Sequence, residues 1–171
     1  FTLPNAAVSG SETNVISINP GTSLPVGDYY VKIDSGAFTD IALDAYAGIL
    51  DNETWKITIL DNGVISYPAH WYNKIRVYTN ITNYGVLSID PGTDVRFEGH
   101  HYIEIGDDFY AVGTVQDSIW FHAKDTVEGW RGLRCNALVR VKYCRFENGN
   151  ATSVPNTFYG FGGAMCMYEI S

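Results

Sequence analysis

The sequence is poor in charge, in cysteine and, above all, in basic residues. Only 18% of its 171 residues are charged, and 11 lysines and arginines stand against 19 aspartates and glutamates, a net charge of −8. With no basic stripe to neutralise phosphates, nucleic-acid binding is not expected. So light a charge argues against a coiled coil, and 46% hydrophobic residues are too many for a disordered chain. Three cysteines are too few for a disulfide framework, and there is no Cys-x-x-Cys pair for structural zinc. No apolar run approaches the roughly 18 residues that span a membrane. Helical periodicity is scarce; its best candidate is residues 38–50, Phe-Thr-Asp-Ile-Ala-Leu-Asp-Ala-Tyr-Ala-Gly-Ile-Leu. Neither a Gly-x-Ser-x-Gly elbow nor a phosphate-binding loop occurs. No leader peptide is visible, so an exported chain would have lost it ahead of Phe1.

What is present is β-forming. Seventeen glycines and twelve tyrosines suit a chain of short strands and tight turns. The main signal is an internal repeat. Ile16-Ser-Ile-Asn-Pro-Gly-Thr-Ser-Leu24 matches Leu87-Ser-Ile-Asp-Pro-Gly-Thr-Asp-Val95, with five of nine positions identical. Gly27-Asp-Tyr-Tyr-Val-Lys-Ile33 then aligns with Gly99-His-His-Tyr-Ile-Glu-Ile105. Ile-Ser-Ile and Leu-Ser-Ile alternate apolar and polar, as a strand with one buried face does, and Pro-Gly imposes a turn. The unit therefore reads as three short strands per coil of about 22–24 residues, stacked as a solenoid. Further strands are expected at Trp55–Ile59, Lys74–Tyr78, Ile119–Phe121, Val139–Val141 and Ala164–Met167. Residues one coil apart stack, so Phe97 and Phe121 are expected in one ladder and Cys144 and Cys166 as neighbours. The same short strands also fit a β-sandwich or jelly roll.

Residues 80–166 resemble the parallel β-helix repeat family of secreted and surface proteins, within the pectate-lyase-like right-handed superfamily. The resemblance lies in Leu87-Ser-Ile-Asp-Pro-Gly-Thr-Asp-Val-Arg-Phe97, Gly113-Thr-Val-Gln-Asp-Ser-Ile-Trp-Phe121, Trp130-Arg-Gly-Leu133, Val141-Lys-Tyr-Cys-Arg-Phe-Glu-Asn-Gly149 and Gly162-Gly-Ala164. It implies an all-β, right-handed parallel β-helix. These motifs specify coil geometry and not chemistry, and the family spans surface-layer proteins, adhesins, spikes and polysaccharide-degrading enzymes.

The expected organisation is an N-terminal tail, residues 1–14, that pairs with a neighbouring subunit, followed by a β-helix, residues 15–171, duplicated as 15–85 and 86–171. No cap is apparent, and Met165-Cys-Met-Tyr-Glu-Ile-Ser171 reads as a strand in mid-stack. That points to a longer solenoid or to head-to-tail stacking into a homo-oligomer or filament.

Candidate chemistry is sparse. Asp107-Asp108 resembles a glycosidase pair, yet companion motifs are missing and a solvated turn is the plainer reading. Asp117, Asp125 and Glu128 with Arg131 or Arg134 are the candidates for a calcium-dependent lyase site. His100 and His101 point to opposite faces of a strand, and His70 and His122 are isolated in sequence. Trp71, Tyr72, Trp120 and Trp130 are candidates for stacking on glycans or for core positions. Asn52, Asn80 and Asn150 head Asn-x-Thr sequons and are glycosylation candidates. Cys144 and Cys166 are a disulfide candidate if their Cα atoms come within about 7 Å, with two free thiols as the other reading. No catalytic residue, protein-bound metal or cofactor is assigned, with Ca2+ the one cation considered. The expectation is a non-enzymatic, extracellular or cell-surface structural protein with glycans as candidate partners; a polysaccharide lyase, glycosidase or glycan-binding domain is the alternative.

Overall fold

The computed structural model describes residues 8–10, 15–19, 21, 24–59, 62–151 and 163–167. The described residues are all-β, and among them there is no helix, so none is long and apolar enough to cross a membrane. The chain divides into two compact units, residues 1–60 and 61–171.

In the first unit the strands pair antiparallel. Strand β1 (Val8–Ser9) pairs with β2 (Ser17–Ile18), and β3 (Gly27–Tyr30) with β4 (Lys56–Ile59). Single bridges continue the second ribbon at Ile33–Ile49 and Thr39–Ala45. Residues 38–50 are therefore a ribbon tip and not the helix their composition suggested. The Asp40 carboxylate accepts the Ala42 and Asp44 N–H groups at 2.8 and 3.0 Å, and Leu43 sits at φ +67°. An Asp that binds its own backbone competes with helix formation. None of the described residues of this unit is buried.

The second unit is built from thirteen short strands: β5 (Val64–Ile65), β6 (Ala69–Trp71), β7 (Lys74–Val77), β8 (Ile81–Asn83), β9 (Leu87–Ile89), β10 (Asp94–Phe97), β11 (Ile103–Ile105), β12 (Phe109–Val112), β13 (Ile119–Ala123), β14 (Leu133–Cys135), β15 (Val139–Lys142), β16 (Cys144–Phe146) and β17 (Met165–Met167). They form three sheets, ordered β16-β13-β10-β7, β17-β14-β11-β8-β5 and β15-β12-β9-β6. Each strand pairs parallel with the strand three places along, so the chain visits the sheets in strict rotation. Stacked parallel strands of this kind are consistent with a β-solenoid. Sandwiches are made of antiparallel sheets, and none of the pairs in this unit is antiparallel.

Alternation along each strand fills the interior. Leu87 stacks on Phe109, and Ile89 on Ala111, all four buried. Ile81, Ile103 and Leu133 form one row of the middle sheet, and Val95 and Phe121 a row of the first. Full burial of such side chains contributes about 1.5–3 kcal/mol each. The aromatic ladder differs from the expected one. Phe121 pairs with Val95 and Phe146, whereas Phe97 pairs with Ala123. Two extra residues in that circuit shift the register, and Trp130 stacks on Phe97 with ring centroids 4.3 Å apart. Trp130 thus joins the two phenylalanine rows, lying 6.3 Å from Phe121 and 6.4 Å from Phe146.

The two copies of the sequence repeat share their turn but not their pairing. Gly21 and Gly92 both follow proline and take positive φ, +78° and +76°. Yet Ser17–Ile18 pairs antiparallel with Val8–Ser9, while Leu87–Ile89 lies between two parallel neighbours. The expected division at 85/86 also falls inside the coil stack, between β8 and β9. Strand pattern sets which face is apolar; the neighbour available sets the direction of pairing. The expected tail, residues 1–14, lies outside the described residues except for Val8–Gly10.

Candidate functional site

The expected Cys144–Cys166 neighbour pair is not formed. Cys144 belongs to β16 and Cys166 to β17, in different sheets, and all three cysteines are free. Cys166 lies beside Arg134, and Cys144 beside Ile119. Burial pushes the Cys135 thiol up to about 12, so it stays neutral and behaves as a small apolar residue.

Asp107-Asp108 occupies the turn between β11 and β12. The Asp107 carboxylate accepts the Asp108 N–H at 2.7 Å, and Asp108 accepts the Tyr110 hydroxyl at 2.9 Å. The second bond raises the Tyr110 pKa, since a neighbouring carboxylate disfavours the phenolate. Both carboxylates are thus used by the turn itself.

The proposed lyase constellation is dispersed. Asp117 shapes the turn before β13, where its N–H donates to Thr114 Oγ1 and its carbonyl accepts the Gly92 N–H, each at 2.9 Å. Asp125 accepts the Val127 and Glu128 N–H groups, which lower its pKa. Asp125 and Glu128 line a shallow depression with Glu98, Lys124 and Thr126. Arg131 and Arg134 are held elsewhere, with guanidinium carbons 5.4 and 3.8 Å from the Tyr102 ring centre. Among the described residues no group of three His, Cys, Asp or Glu side chains is arranged to hold a metal.

The histidines are separated as the strand geometry requires. His100 Nε2 lies 2.7 Å from the Asn150 carbonyl. Burial lowers the pKa of His101, partly opposed by Glu128. His70 and His122, isolated in sequence, each meet a carboxylate one coil away: Asp90 and Asp94, both at 2.7 Å. His70, Ser88 and Asp90 share one outer face, but the Ser88 hydroxyl turns to the Ala69 carbonyl at 3.4 Å. This is not a nucleophile–base pair.

The aromatic candidates divide between core and surface. Trp130 is buried, with its ring N–H donating to the Glu147 carbonyl at 2.8 Å. Trp71 stands in register with Ile89, in an inward row. Tyr72 follows at the turn, its ring 5.6 Å from that of His70. Trp120 lies on the outer face, stacked on His122 at 3.7 Å and covered by Arg145 at 5.1 Å.

The sequons differ in availability. Asn52 is exposed beside Asp51, whose carboxyl is held down to about 2 by hydrogen bonds from the N–H and hydroxyl of Thr54 and the N–H of Glu53. Asn80 is half-buried, and its carbonyl oxygen accepts the Tyr102 N–H at 3.3 Å. The Asn150 amide nitrogen, the atom a glycan would occupy, donates to the Glu128 carbonyl at 2.9 Å.

One polar arrangement was not foreseen: a charge network across β7, β10 and β13. Asp94 accepts from Arg76 at 2.9 Å and from His122 at 2.7 Å. Glu98, with 5% of its side chain exposed, meets Arg96 at 2.6 Å and Lys124 at 3.0 Å. Its partners lie up to 26 residues away (124 − 98) and become neighbours only through the coil register. Burial raises both carboxyl pKa values, but the hydrogen bonds from His122 and Arg76, and from Arg96 and Lys124, outweigh it, so both are lowered. A lowered folded-state pKa gives stability that is complete above the ordinary value and lost as pH falls through the folded one. The network should therefore hold at neutral pH and fail below the ordinary values of 3.8 for Asp94 and 4.5 for Glu98. Thermal melts from pH 7 down to about pH 2 should show a fall in Tm that is shallower in the Asp94→Asn/Glu98→Gln variant. An equal slope in both proteins would remove these groups from the acid response.

No family model, no curated protein and no solved structure matches the chain.

Proposed function

We propose that the chain is a non-enzymatic structural protein of the extracellular space or cell surface. In this reading it is a right-handed parallel β-helix, akin to the secreted repeat family its motifs resemble, and a building block of a filament, surface layer or adhesin. Copies join through open strand edges. The observation that carries the reading is a gradient of burial along the inward rows. Leu87 and Phe109 are 0% exposed, but Val139, next in that row, is half-exposed. The same step separates Ala111 from Val141, Phe121 from Phe146 and Leu133 from Met165. Strands β15, β16 and β17 are each the outermost of their sheet among the described residues. A rung with a half-open apolar interior and unpaired N–H and C=O groups is a template for another strand layer. The dispersed carboxylates, each satisfied by its own turn or ion pair, favour a structural role over catalysis.

Electron microscopy of the purified protein, alongside its solution mass, tests this. Unbranched filaments whose mass grows with concentration are expected. Uniform monomers at every concentration would overturn the reading in favour of a glycan-active one.

A further inference from the structure

The open rung is basic. Its edge strands carry Arg140 and Lys142 on β15 and Arg145 on β16, all exposed. The neighbouring carboxylate, Glu147, is tied to Arg145 and accepts the Trp120 ring N–H at 3.2 Å. Two such rungs set against each other would place arginine and lysine opposite themselves, which is repulsive. The first rung of the same unit offers no negative charge either, since β7 carries Lys74 and Arg76. Residues 27–59 have the opposite character. They hold Asp28, Asp34, Asp40, Asp44, Asp51 and Glu53 against Lys32 and Lys56, a net charge of −4 (2 − 6), half that of the whole chain. They also expose apolar side chains: Ile41 is 104% exposed, Leu43 80% and Leu50 65%. The ribbon of β3 and β4 has only two strands, so each has an unpaired edge among the described residues. A lone two-stranded ribbon without a core is marginal in water and gains most from a partner.

We propose that assembly is head-to-tail between unlike surfaces: the basic open rung of one copy receives the acidic apolar ribbon, residues 27–59, of a second copy. This rests on the assembly reading and names its contact. Both surfaces have unpaired strand edges and uncovered apolar side chains, and their charges are opposite. Complementary charge sets which surfaces meet and in what orientation, and apolar burial holds them. Because the two patches differ, the contact need not close, and repetition makes a filament.

Charge reversal tests the pairing on the full chain. Arg140→Glu/Lys142→Glu changes only exposed side chains, so circular dichroism and Tm should match those of the unmodified protein. Its assembly should require about tenfold more protein or fail. Asp34→Lys/Asp44→Lys should be equally defective alone. An equimolar mixture of the two variants should assemble, because each supplies the surface that the other's altered surface now fits. An unmodified chain that never assembles sinks both this contact and the assembly reading. Assembly of the unmodified chain, with reversal variants that still assemble normally or a mixture that gives no rescue, sinks this contact alone.

Discussion

Replacing Trp130 with alanine should cost about 3–5 kcal/mol of stability, a large share of the roughly 5–15 kcal/mol typical of a domain. The indole is 0% exposed, stacks on Phe97 at 4.3 Å and bridges the two phenylalanine rows of the interior. Alanine leaves a void walled by Phe97, Phe121 and Phe146, stiff rings that relax little. It also strands the Glu147 carbonyl, which loses the indole N–H at 2.8 Å. Trp120 supplies the comparison. It too stacks closely, on His122 at 3.7 Å, but on the outer face, where water replaces what alanine removes. Urea unfolding of both variants decides the matter. A Trp130→Ala protein no less stable than Trp120→Ala would mean that the aromatic rows do not carry the core.

Gly63→Ala should destabilise by about 2–4 kcal/mol, far more than Gly92→Ala, although the two glycines have nearly the same backbone. Their φ angles are +77° and +76°, so an added Cβ brings the left-handed penalty of about 1–2 kcal/mol to each. At Gly92 the new carbon meets only the Asp117 Cβ, at 3.6 Å. At Gly63 it would fall 2.1 Å from the Asn80 carbonyl oxygen, in the next coil. The Thr82 N–H bonds to the Gly63 carbonyl at 3.0 Å, so the clash pushes β5 off the stack where the coil begins. Thermal melts of the two alanine variants side by side measure the difference. Equal losses would show that φ alone matters and that the coils tolerate wider spacing.

The coil architecture was legible because its signal is local. Leu87-Ser-Ile, Val95-Arg-Phe and Ile103-Glu-Ile each declare an inward face by alternation, and Pro91-Gly92 marks a corner. The coil length was less so. Leu87 to Phe109 is 22 residues (109 − 87), close to the expected repeat, but Phe109 to Val139 is 30 (139 − 109). Loops such as residues 124–132 add length without changing strand pattern, so the Phe97–Phe121 and Cys144–Cys166 pairings inferred from spacing were displaced. The first unit was misread for a related reason. Ile16-Ser-Ile and Leu87-Ser-Ile carry the same pattern, and neither says whether its neighbour runs parallel or antiparallel. The charge network around Asp94 and Glu98 had no local signature, since Arg76, His122 and Lys124 reach it only through register.

Strict rotation among three sheets also sets the order in which the second unit can form. The strand partners within residues 64–167 are separated by 18 residues (87 − 69) at the least and 32 (165 − 133) at the most. No pairing joins the start of the stack to its end. The entropy of loop closure is therefore met in small, nearly equal instalments, and each completed circuit offers a ready edge to the next. A chain emerging from the ribosome can add circuits in the order in which they are made, without waiting for its last strand.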